Sequence, residues 1–233
     1  MNPFTKWMNV RALQRPDPWS GLKLQPLPIY RDEEKHKYCW EPTGEWLSYS
    51  TTQACNNKTP EALANIERYR HGPNGWEIRG KTVHHCLEQR MLGYPDADAG
   101  DFNEWVEPLL NDPFWENFEP WAVEYMLCDL QKSLGGQLDL LGYDHESNRV
   151  MLIDLKSQSK SGRTYSTNAQ LGSYVEALDK HHGLEIDVCK TIWAKPGKTK
   201  IGDDQPVEEC LDEWHKAWER FEEKQEEIGR AHV

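Results

Sequence analysis

Asp154 and Lys156 stand two residues apart near the end of "VMLIDLKSQSK", in which Val150, Met151, Leu152, Ile153 and Leu155 form an almost unbroken apolar run. The run reads as a buried strand. Side chains on a strand alternate between faces, so both charges project from the face that carries Val150 and Leu152. A strand-end ion pair accounts for that arrangement, and so does a reactive site. Upstream, "GGQLDLLGYD" reads as a second strand, joined to the first by the polar connection "DHESN". Pairing of the two brings Asp139 beside Asp154. Carboxylates that close require a cation between them, or one must take up a proton. Oxygen ligands favour a hard metal, Mg²⁺ or Mn²⁺. Lys156 would stand beside it, able to orient or deprotonate a water and to neutralise charge on a phosphoryl oxygen. This is equipment for metal-assisted phosphodiester hydrolysis.

The elements that must position these groups follow from turn and cap signals. Residues 1–45, rich in Pro and Trp, lack sustained periodicity and read as an extension packed on the core; residues 46–233 read as the main domain. In "TGEWLSYSTTQ", Thr43-Gly44 signals a turn, a short strand follows, and Ser50 or Thr51 caps a helix. "TPEALANIERYRHG" has Thr59 as N-cap, Pro60 at the first helical position and Gly72 as a stop. A longer helix covers Trp76 to Leu92, with Ile78, Val83, Leu87 and Met91 at helical spacing and His84 facing the same side. A short helix, "DFNEWVEPLLN", precedes three consecutive strands, the first being "PWAVEYMLCDL". Next come a helix in "YSTNAQLGSYVEALDKHH", a strand in "IDVCKTIWAK" and a long amphipathic C-terminal helix. The order predicts an α/β fold, a mixed central sheet flanked by helices.

Gly136-x-x-Asp139 followed by Asp154-x-Lys156 resembles the core motif of the PD-(D/E)XK nuclease superfamily, whose core is restriction-endonuclease-like. Other ordered matches point to its RecB-like branch. "RGKTVHHCLE" resembles the helix motif in which Gly80, His84, Leu87 and Glu88 fall at matching positions. Glu124 in "WAVEYML" resembles the acidic residue on the preceding strand, and Gln170-x-x-x-Tyr174 resembles the branch's Gln-x-x-x-Tyr motif. The pattern is similar to phage exonucleases and to the mitochondrial genome maintenance exonuclease group. The resemblance implies that Asp139, Asp154 and the backbone carbonyl of Leu155 hold the catalytic metal. It implies that His84 adds an imidazole ligand or contacts the same metal, that Glu124 is placed to hold a second cation, and that Lys156 activates the attacking metal-bound water. Gln170 and Tyr174, one helical turn apart, would position the lysine and the DNA backbone, with Lys160 and Arg163 as phosphate contacts. Members with an iron–sulfur cluster carry a late cysteine cluster. Cysteines 39, 55, 86, 128, 189 and 210 form none, so no iron–sulfur cluster is expected.

Composition bounds the reading. No apolar window is long enough to span a membrane, and "MNPFTKWMNVRALQRP" lacks the apolar core of a secretory signal. Scattered cysteines suit reduced thiols in a cytoplasmic setting, in a bacterial or phage-infected cell. The net charge of −12 opposes general nucleic-acid binding, yet eight Lys and Arg face four acids between Lys156 and Lys200. That window reads as one anion-facing surface, although its Lys190–Lys200 end is equally read as a solvated loop. Val207, Leu211, Trp214, Trp218 and Phe221 stripe the C-terminal helix for packing on its own core, or for a protein partner or self-association. The resulting expectation is a metal-dependent DNA exonuclease acting on single strands or free ends in recombination, repair or phage infection. Its rivals are a structure-specific endonuclease and a catalytically silent DNA-binding subunit.

Overall fold

The computed structural model describes residues 23–32, 34–35, 37–72 and 75–231. The expected absence of a secretory signal, and the packing expected of residues 1–22, fall outside this range. Strands β1 (Ile29–Asp32), β2 (Lys37–Trp40) and β3 (Glu45–Trp46) form a small antiparallel sheet; β3 begins where a short strand is expected after Thr43-Gly44, while β1 and β2 lie in the stretch without sustained periodicity. "IYRD" and "KYCW" are too short for alternation to show. Their inward residues Ile29 and Tyr38 pack with Leu47 and Cys128, and Leu24 donates its backbone N–H to Trp121 at 3.0 Å.

The main sheet holds β4 (Tyr49–Ser50), β5 (Phe118–Asp129), β6 (Leu134–Asp144), β7 (Arg149–Ser157), β8 (Val188–Lys195) and β9 (Lys198–Ile201). β6 is antiparallel to β5 along its length, while its other edge is shared by β7 at Leu140–Asp144 and by β4, parallel, at Leu134–Gly135. Residues 136–139 are therefore left at a fork where β7 diverges from β6. β7 runs parallel to β8, and β9 closes the sheet antiparallel to β8. β9 ("KTKI") went unread because its charges resemble a loop.

Helices cover both faces. On one lie α3 (Trp76–Met91) and α4 (Asn103–Leu110), packed on Leu140, Met151, Ile153, Leu155 and Ile192. On the other lie α5 (Asn168–His182) and α6 (Val207–Ala231), packed on Leu152, Val150, Leu141 and Tyr125. β7 thus buries alternate residues against different helical layers, which explains its continuous apolar run. Gly172 of α5 meets the backbone of Cys210 on α6, and a Cβ there would collide with the Cys210 carbonyl oxygen. This close approach lets the C-terminal helix dock, burying Cys210, Trp214 and Ala217.

Two short α-helices precede α3, and 3-10 turns at Gly100–Phe102 and Pro113–Asn117 flank α4. α1 (Thr51–Ala54) starts from a capping box in which the Ser50 hydroxyl accepts from Gln53 N–H. α2 (Pro60–Arg68) is capped by Thr59 and ends four residues before the stop expected at Gly72; it buries no side chain. The periodicity assigned to α3 also needs correction. Val83 and Leu87 are buried and Met91 packs on the same core, but Ile78 is 48% exposed and Cys86 takes a buried place beside them.

Candidate active site

The fork between β6 and β7 creates the site. Beyond the last rung, Leu140 opposite Ile153, the ladder opens, and the freed N–H of Leu155 donates to Asp139 Oδ2 at 2.6 Å. A carboxylate thus takes over where the backbone acceptor is missing. On the adjacent strand Glu124 has φ 45°, a left-handed conformation unusual for a non-glycine residue within a strand. Its Oε2 accepts from Gln137 Nε2 at 2.7 Å.

From α3, His84 reaches between the strands. Nδ1 lies 2.9 Å from Glu124 Oε1 and 3.5 Å from Asp139 Oδ1, and Nε2 lies 3.2 Å from the Leu155 carbonyl oxygen. Each partner offers an oxygen that can accept, an arrangement that favours a doubly protonated ring donating from both nitrogens. Burial alone would lower the His84 pKa, but the Asp139 and Glu124 carboxylates outweigh it and push it up to about 9. His84, Glu124 and Asp139 offer ligand atoms that all lie within 4.8 Å of one another.

Asp154 and Lys156 project toward α5. Asp154 is 1% exposed, and its Oδ1 accepts from Lys156 Nζ at 2.7 Å. Its Oδ2 is buried and has no hydrogen-bond partner among the described residues. Burial first, then the charge of Asp139, raises the Asp154 pKa to about 6 against the opposing pull of Lys156. Burial opposes the charge on Lys156, yet Asp154 and Asp139 hold it firmly protonated. In this state Lys156 is a cationic donor, whereas the sequence reading also allowed it to deprotonate water. Lys156 donates on to Gln170 Oε1 at 3.4 Å, and Gln170 Nε2 donates to Tyr174 OH at 3.0 Å. Tyr174 is buried at 4% exposure, so it is both a core residue and the end of the chain that fixes the lysine.

Glycines make room for this chain. A Cβ on Gly136 would stand 2.8 Å from Tyr174 Cε1, and one on Gly135 would stand 2.5 Å from the Tyr38 ring. Sequence reasoning named Gly136 by its spacing but missed Gln137, although it shares a strand face with Asp139.

Two openings meet at the cluster. A polar pocket of about 230 Å³ is lined by Arg31, Tyr38, Gln137, Glu124 and Asp139. A larger groove of about 940 Å³ runs past Lys156, Tyr165 and Gln170, between α2 and α6. Lys160 and Arg163 are exposed on the loop after β7 and are not among the residues lining either opening. Several cations of the basic window are engaged inside the fold. Lys180 is bonded to Asp129 and Glu176, Lys190 to Asp204, and Lys195 to the Gly162 carbonyl. The Lys190–Lys200 segment is accordingly a β-hairpin, not a loop: Lys190 and Lys195 on β8 are buried and partnered, while Lys198 and Lys200 on β9 are exposed.

The donor set suits a hard divalent cation. The Glu124 and Asp139 carboxylates converge with His84, itself against the Leu155 carbonyl; Asp154 lies outside this close group but feels the charges of Asp139 and His84 and carries an unsatisfied buried oxygen able to accept a cation. In the described state, the His84 imidazolium and the Lys156 ammonium supply the neutralising charge.

A family model for the PD-(D/E)XK nuclease superfamily matches residues 103–232. No curated protein matches the chain. Among solved structures, that of SSO0001 is similar over 92% of this chain and 82% of its own, at 10% identity and a TM-score of 0.33, a likeness too slight to bear on function. Among the described residues, no helix is long and apolar enough to cross a membrane.

Proposed function

This chain belongs to the PD-(D/E)XK nuclease superfamily, and from that premise we propose that it is a Mg²⁺- or Mn²⁺-dependent exonuclease that hydrolyses DNA from free ends. The observation that carries the reading is the His84, Glu124 and Asp139 cluster, electrostatically linked to Asp154, whose buried Oδ2 is unsatisfied and whose Oδ1 holds Lys156. Asp139, Asp154 and the Leu155 carbonyl would hold the cation, with His84 and Glu124 available at its side. When bound, it supplies Lewis-acid stabilisation to the phosphoryl oxygens.

The remaining roles belong to the chain's own residues. The Lys156 ammonium donates to a phosphoryl oxygen or to the attacking water and stabilises charge as it develops. Gln170 and Tyr174 hold that ammonium in place from α5, so it is positioned before substrate arrives. The Leu155 N–H fixes the Asp139 carboxylate, and Gln137 fixes Glu124. Lys160 and Arg163 would touch the substrate backbone only outside the groove.

Action at ends is favoured because the site is recessed between α2 and α6, which admits a strand terminus more readily than an uninterrupted duplex. The same reading sets the enzyme in the cytoplasm of a bacterial or phage-infected cell. It is tested by incubating the protein in Mg²⁺ with linear DNA and with covalently closed circular DNA. Nucleotide release from linear DNA with the circle left intact supports an exonuclease. Linearisation of the circle overturns it in favour of an endonuclease.

A further inference from the structure

The chain is acidic overall, but the groove beside the active site is not. Besides His84, its charged lining among the described residues is Lys58, Lys156, Lys216 and Arg220 against one acid, Glu213. Glu213 is itself engaged by Ser166 and Asn168. Beyond Arg220 the groove meets a second hollow of about 280 Å³, lined by Lys58, Arg220 and Lys224. Lys216, Arg220 and Lys224 recur every fourth residue, so they follow one face of α6, about 6 Å apart along its axis. In the sequence this stripe is concealed by the glutamates interleaved with it, of which Glu223 and Glu227 fall at its margin by helical spacing.

The opposite wall is apolar. Leu63 and Ile66 of α2 line the groove at 39% and 38% exposure, on a helix that buries none of its own residues. Trp76 joins them, fixed by its indole N–H donating to the Ile66 carbonyl at 2.8 Å. At the floor Tyr165 is 55% exposed, supported edge-on by Trp193 at 4.9 Å and flanked by Lys58 at 5.9 Å from its ring. A groove with one cationic wall, one apolar wall and an aromatic floor matches a single nucleic-acid strand, whose bases are unstacked and whose phosphates lie to one side. A duplex hides the base faces that Leu63, Ile66 and Tyr165 would contact.

We infer that a single DNA strand occupies this groove, its phosphates tracking Lys58 and the Lys216–Arg220–Lys224 stripe and its bases packing on Tyr165, Leu63 and Ile66, and thereby reaches Lys156. The inference rests on the reading of the site as a DNA exonuclease and names the form of its substrate and the path that it takes.

The test measures binding of a fluorescein-labelled phosphorothioate oligothymidylate in Mg²⁺ by anisotropy, across a salt series. The triple substitution Lys216→Gln, Arg220→Gln, Lys224→Gln is expected to weaken binding at least tenfold at low salt. It should also reduce the slope of log affinity against log salt by about 2, since each single-strand phosphate contact contributes about 0.7. Tyr165→Ala should weaken binding about tenfold with the slope unchanged, because stacking is lost and no charge. Lys198→Gln with Lys200→Gln, on exposed β9, should change neither.

An unchanged slope in the triple variant, or an equal loss in the β9 control, overturns the path. Equal affinity for a matching blunt duplex, lost equally in the triple variant, overturns the single-strand assignment. A wild-type protein that degrades linear DNA while the triple variant binds normally leaves the exonuclease reading standing and this path refuted. Loss of slope in a protein that leaves DNA ends intact does the reverse. Circular dichroism melts of the triple variant should match wild type, because all three side chains are exposed.

Discussion

Replacing Gly136 with alanine tests whether the active-site lysine is held by packing as well as by charge. The added Cβ would stand 2.5 Å from Thr51 Oγ1 and 2.8 Å from Tyr174 Cε1. Carbon contacts settle near about 3.5–4.0 Å, so the ring must retreat by about 1 Å. Tyr174 has little free space, being 4% exposed and packed among Leu171, Val175 and Leu178. The expected cost is about 1–3 kcal/mol from overpacking. For a chain of this size that corresponds to a fall of roughly 3–10 °C in Tm. The displacement passes through the Tyr174–Gln170 hydrogen bond to Lys156, and a shift of about 1 Å at a catalytic group costs up to about a hundredfold in rate. Differential scanning calorimetry and single-turnover hydrolysis of labelled DNA measure the two effects. Gly229→Ala on α6, where nothing lies within 4 Å, is the control and should be neutral or stabilising. A Gly136→Ala protein that melts and cleaves like wild type would refute the reasoning.

Gly172→Ala should destabilise by more than Gly136→Ala, because the obstacle is the backbone of Cys210 and α6 must shift; urea denaturation compares the two. At position 124, glycine should be more stable than alanine by about 1 kcal/mol, since only the alanine is strained at φ 45°; equal urea midpoints would contradict that strain. His182, 4% exposed, is lowered to about 4 by burial and by its neighbour His181. The unfolded chain takes up this proton near pH 6.5 and the folded chain only near pH 4, so stability falls as pH drops through that window. Between pH 7 and pH 5 the loss is about 2 kcal/mol from this residue, and urea midpoints of His182→Gln should show a correspondingly flatter pH dependence.

The hairpin carrying Asp139 and Asp154 was legible because the polar "DHESN" separates two runs whose apolar content is high enough to mark them as strands. Register then followed from strand alternation, and the charges fell on a shared face. The fork between the strands was not legible, because it depends on β4 and β7 sharing one edge of β6. Lys190 and Lys195 read as solvent-facing since their partners, Asp204 and the Gly162 carbonyl, are set by the fold rather than by local sequence. Ile78 fits helical spacing with Leu87 and Met91 yet faces outward, because the spacing identifies a helix more firmly than it identifies the buried side. The cations of the groove came from α6, where acidic neighbours conceal their common face.

The most direct measurement is the initial rate of DNA hydrolysis in Mg²⁺ and in EDTA for wild type and Asp154→Asn, with folding of both proteins confirmed by their melting curves. Asp154→Asn keeps the shape of the side chain and removes the charge of the buried carboxylate. Hydrolysis by wild type is expected only with metal, and at least about a hundredfold less by Asp154→Asn. Activity that persists in EDTA, or that survives Asp154→Asn undiminished, would contradict that expectation.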